Sequence, residues 1–73
     1  MNQKEIMSIV INSMQIVDRV YIDIYESKSL IVFKDHFLDL FLACIIPLGG
    51  ENCLISDTMN NIESCFDWLN NNK

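Results

Sequence analysis

A mostly apolar stripe recurs along residues 3–17 at steps of three and four: Ile6, Ile9 and Val10, then Ser13 and Met14, then Val17. That spacing places them on one stripe of a helix and predicts an amphipathic helix over 3–17. The rhythm changes after Asp18. Val20, Ile22 and Ile24 alternate with Tyr21, Asp23 and Tyr25, the period of two of a half-buried strand. Glu26-Ser27-Lys28-Ser29 is a polar break of turn length, and Leu30-Ile31-Val32-Phe33 supplies β-branched and aromatic residues for a return strand. The pattern predicts a β-hairpin over 19–34.

The second half begins with Asp35, whose carboxylate suits a helix N-cap because it accepts orphan backbone N–H groups. Phe37, Leu38, Leu40, Phe41, Leu42, Ala43, Cys44, Ile45 and Ile46 follow, apolar on almost every face. Read as a helix, such a segment is sandwiched, inside the fold or partly against another chain. Pro47-Leu48-Gly49-Gly50 stops it, and Cys53-Leu54-Ile55 offers a short third strand. Ser56 or Asp57 caps a last helix over 58–70, with Met59, Ile62, Cys65, Phe66 and Leu69 as its apolar stripe. Asn70-Asn71-Asn72-Lys73 reads as a frayed end. The expected fold is therefore a single α+β domain over 1–73, in the order helix, β-hairpin, buried helix, short strand, helix.

Length and charge narrow what such a domain does. Seventy-three residues, 51% hydrophobic and 21% charged, suit one small folded unit and leave little room for both a core and a deep pocket. An enzyme is not expected. The net charge is −5, and all of it lies in the second half: residues 35–73 hold six acids and one base, residues 1–34 four of each. A chain of this charge does not attract nucleic acid or anionic lipid, and neither partner is expected. The greasiest stretch, residues 37–48, is shorter than the roughly twenty residues of a bilayer span and contains Asp39, so no membrane association is expected either. Cys44, Cys53 and Cys65 are odd in number and lack CxxC spacing. They read as reduced thiols rather than a disulfide framework or a zinc site, which points to the cytoplasm.

Candidate chemistry is sparse. His36 lies between Asp35 and Asp39, and on a helix positions 36 and 39 share a face. Two carboxylates and an imidazole need a further ligand to hold a metal, and no second cluster supplies one; neither metal nor cofactor is expected. Cys44 lies about 80° round a helix from His36, out of reach for a nucleophile pair. Glu63 and Asp67 lie on the polar face of the last helix, and Trp68 lies beside its apolar stripe, where a ring closes the core edge or anchors a partner. Asp35, His36, Asp39, Glu63, Asp67 and Trp68 are the candidate partner-binding residues.

Residues 61–69, Asn-Ile-Glu-Ser-Cys-Phe-Asp-Trp-Leu, resemble the closing helix of acyl and peptidyl carrier proteins. Asp35-His36-Phe37, with Leu40 and Leu42, is similar to the start of that family's second helix, and Met7, Val10 and Ile11 fit its first. The resemblance implies an all-α four-helix bundle that docks the enzymes of lipid, polyketide or peptide synthesis. The chain departs from it at two places. His36 stands where the family carries the serine that takes phosphopantetheine, and residues 20–33 are apolar and alternating where the family has a long loop. The carrier-like bundle is the alternative fold and the carrier-like module the alternative function. The first reading is a small, acidic, non-catalytic protein-binding module, of inhibitor or adaptor type, that docks a basic partner surface and can pair with a second copy.

Overall fold

The computed structural model describes residues 2–73. Helix α1 (Gln3–Ser13) is followed by strands β1 (Arg19–Tyr25), β2 (Lys28–Asp35), β3 (Leu40–Pro47) and β4 (Leu54–Ile55), then by helix α2 (Ile62–Asn72). The strands form one antiparallel sheet in the order β1-β2-β3-β4. Helix α2 packs on β3 and α1 on β1, and the two helices touch each other. Together they cover one face of the sheet. The core is there: Val10 and Met14 from the first helix and its C-cap, Leu30, Val32, Ala43 and Ile45 from alternate strand positions, and Ile62, Cys65, Phe66 and Leu69 from α2.

Local chemistry sets the element ends. Asn2 caps α1, its side-chain oxygen accepting the Glu5 N–H at 2.9 Å. The helix ends at Ser13 rather than at residue 17. Ser13 Oγ donates to the Ile9 carbonyl at 2.9 Å, and a turn over 14–16 buries Met14 and redirects the chain into β1. The predicted hairpin over 19–34 is β1 and β2. Its two-residue turn, Glu26-Ser27, has φ of 48° and 65°, as a type I′ turn requires, without the usual Asn-Gly. A bulge between Tyr21 and Asp23 leaves Ile22 without a partner and shifts the alternation. Beyond it Ile24 turns away from the helices. Tyr25 turns toward them, and the Lys28 and Lys73 ammoniums lie 5.7 and 4.8 Å from its ring centroid.

The central helix expected from residue 37 to residue 46 is instead β3, and this overturns both the predicted order of elements and the all-α bundle. Asp35 does accept backbone amides, from Phe37 at 2.9 Å and Leu38 at 3.1 Å, but they belong to a hairpin turn over 36–39. Asp39 closes that turn in the left-handed region at φ 55°, and the chain returns beside β2 in an unbroken register from Asp35↔Leu40 to Lys28↔Pro47. Apolarity on every side suits a strand buried on both faces as well as a buried helix, and eight ladder pairs decide for the strand. Phe37, expected in the core, is 94% exposed at the turn.

The other edge of β3 is satisfied in pieces. Beside β4, Cys44 pairs with Ile55 and Ile45 with Leu54. Ser56 then pairs with Ala43 through both main chain and side chain. Its N–H donates to the Ala43 carbonyl at 2.9 Å, and its Oγ accepts the Ala43 N–H at 2.8 Å while donating to the Asp57 carbonyl. Phe41 and Met59 exchange two backbone hydrogen bonds at 2.8 and 2.7 Å. These bonds hold residues 54–59 extended, so α2 starts at Ile62, capped by Asn61, and not at residue 58. It continues to Asn72, past the end predicted at residue 70.

Two stability changes follow. Replacing Glu26-Ser27 by Asn-Gly relieves two left-handed residues and should stabilise the domain by about 1–2 kcal/mol in urea or thermal unfolding. Ser56→Ala strands the buried Ala43 N–H and should destabilise it by about 1–3 kcal/mol in the same assay.

Candidate functional site

The candidate residues fall into two groups that the fold keeps apart. Asp35, His36 and Asp39 belong to the β2–β3 turn. The Asp35 carboxylate is taken up by turn amides, and Asp39 pairs with Lys34 at 2.8 Å. The Lys34 hydrogen bond, then its charge, hold the Asp39 carboxyl below its ordinary value. His36 Nε2 donates to the Val17 carbonyl at 3.1 Å, tying the turn to the connection between α1 and β1. Each of the three therefore has a structural task in or beside the turn. Glu63 and Asp67 lie exposed on α2, and among the described residues neither joins an ion pair. Trp68 is half-buried and packs against the core edge. No hydrogen bond or ion pair links the two groups among the described residues.

A different set of side chains is brought together on the sheet face turned away from the helices. Strand register aligns Tyr21, Ile31, Cys44 and Ile55 in one row across all four strands. Arg19, Phe33 and Leu42 form the row on one side; Ile24, Ser29 and Ile46 form the row on the other. Strand side chains alternate between faces, and the members of the core lie on the opposite face, which assigns these residues to this one. In a two-layer domain the open face ordinarily carries polar residues. Here Ile31 is 1% and Cys44 5% exposed although both described helices pack on the opposite face. Tyr21, at 65%, and Ile24 and Ile55 stand exposed. Between Tyr21 and β4 the surface dips into an open hollow of about 280 Å³ lined by Phe33, Leu42, Cys44 and Ile55, all apolar.

None of the charged or titratable candidates except Asp35 lies on the strands of this face. The signal was present in the continuous apolar runs Leu30-Ile31-Val32-Phe33 and Leu40 to Ile46, which leave no polar side for water. A second concavity, about 160 Å³ between the helices and β1, is lined by Gln3, Ile6, Ile22, Phe66 and Asn70 among others. It is smaller than the few hundred Å³ of a small-molecule site. Among the described residues, no three His, Cys, Asp or Glu side chains converge as a metal-ligand set, and no helix is long and apolar enough to cross a membrane.

All three cysteines are free: Cys65 is buried on the core side of α2, Cys44 is buried on the sheet face turned away from the helices, and Cys53 is exposed. Burial pushes the Cys65 thiol up to about 11 and raises Cys44 as well, with the neighbouring Cys53 as a smaller cause. An acid whose pKa is raised by folding is held neutral in the native state while the unfolded chain ionises. Stability should therefore fall as pH rises from the ordinary thiol range toward about 11. Cys65→Ala should remove that part of the alkaline slope in urea titrations. In the wild type, brief alkylation at pH 8 followed by mass spectrometry should label Cys53 first and Cys65 only after unfolding.

Comparison with protein-family models, with curated proteins and with solved structures finds no match to this chain.

Proposed function

We propose that this domain is a non-catalytic protein-interaction module that docks through the open face of its sheet. One observation carries the reading: the face is apolar in its central row, with Tyr21 and Ile55 exposed at its two ends, and among the described residues both helices pack on the opposite face. A contiguous apolar patch of this kind on a small domain marks an interaction surface, because water around it is released when a partner covers it. Tyr21 and Phe33 supply aromatic area at low entropic cost, the composition of interface centres. One further feature fits this reading. The three unpaired thiols suit the cytoplasm.

The test is site-specific photocrosslinking in the source cells. A benzophenone side chain at Tyr21 should give discrete protein adducts on illumination, whereas the same group at Ser8, exposed on α1, should give none. Absence of adducts at Tyr21, or identical adducts at both positions, would contradict docking through the sheet.

A further inference from the structure

The open face has a ridge and a hollow on opposite sides of β2. Tyr21 and Ile24 rise from β1, and the hollow lined by Phe33, Leu42, Cys44 and Ile55 lies toward β3 and β4. Ile31 sits in the row between them. Resting on the docking reading above, we infer that the occupant of this face is a second copy of the chain, packed sheet to sheet about a twofold axis that runs along β2 over Ile31.

A twofold in that direction exchanges the two sides of the sheet while preserving position along the strands. Tyr21 of each copy is then carried over the Cys44 row of the other, into the hollow, with the axis passing over the already buried Ile31. One surface supplies both knob and hole, which is what a closed, isologous dimer requires. Stacked sheets lie about 10 Å apart, a gap that side chains from two facing layers fill.

Charge permits the pairing. The chain carries −5, but on this face the charged residues are Arg19, in the row of Phe33 and Leu42, and Asp35, at the end of β2; the central row from Tyr21 to Ile55 holds none. Two acidic chains therefore meet over their neutral surfaces, with the acids of α2 on the outward sides. Area permits it as well. The 25 residues of the four strands occupy roughly 400 Å² in plan at about 3.4 Å by 4.8 Å each. With side-chain relief, two copies hide about 1,000 Å², the size at which specific interfaces begin.

Sedimentation equilibrium of the purified chain at about 10–500 µM tests the inference, together with isotope-filtered NMR on a mixture of labelled and unlabelled protein. The expected result is a mass approaching twice 8.5 kDa, with intermolecular contacts from the Tyr21 ring to Leu42 and Ile55. Tyr21→Asp should weaken the dimer by about 10- to 100-fold while leaving the dispersed amide spectrum of the fold. Asp67→Lys should leave the dimer unchanged. A monomer throughout the range overturns the inference, as does a dimer that Tyr21→Asp does not weaken. If the chain is monomeric yet crosslinks at Tyr21 to another protein, the docking reading stands and only the second copy is wrong. If it is monomeric and gives no adduct, both fail.

Discussion

Strand β3 hydrogen-bonds along both edges and packs one face under α2, and every other element takes its place from that strand. Its eight residues, Leu40–Pro47, pair with β2 on one side. On the other side they meet β4, then Ser56, then Met59, so a two-residue strand, one hydroxyl and one bridge complete the edge. Ala43 and Ile45 point into the helical layer, and α2 lies over them. Leu42, Cys44 and Ile46 point the other way. Backbone amides in a dry interior must be paired, which fixes where residues 54–59 run and hence where α2 begins.

The same strand explains why part of the fold was legible in the sequence and part was not. The spacing of Ile62, Cys65, Phe66 and Leu69 has one interpretation, a helix, and the alternation around Tyr21 with the polar break at Glu26 has one as well, a hairpin. Residues 40–46 carry no period: a strand apolar on both faces and a helix apolar all round give the same run of letters. Asp35 compounded the error, since a carboxylate that accepts amides at i+2 and i+3 is compatible with a helix cap and with a tight turn. What separates the two is Asp39 in the left-handed region and the partner strand, both of which are tertiary facts.

The candidate site was hidden for a related reason. Charged residues are conspicuous in a sequence, yet Asp35, His36 and Asp39 are consumed in holding a turn. The bulge at Ile22 could not be read from the letters, and it is what sends Ile24 to the open face and Tyr25 toward Lys28 and Lys73. One side of β3 is covered by α2, and the other is the surface proposed for docking.

A charge scan along β3 tests this account most directly. Aspartate is placed singly at residues 42, 43, 45 and 46, and each variant is followed by circular dichroism and urea unfolding. A strand with one covered and one open face predicts a period of two. Ala43→Asp and Ile45→Asp should abolish folding, because an unpaired carboxylate enters the core, while Leu42→Asp and Ile46→Asp should fold. Loss of folding at all four positions, or tolerance of charge at Ala43 or Ile45, would contradict the placement of β3 on which the open face depends.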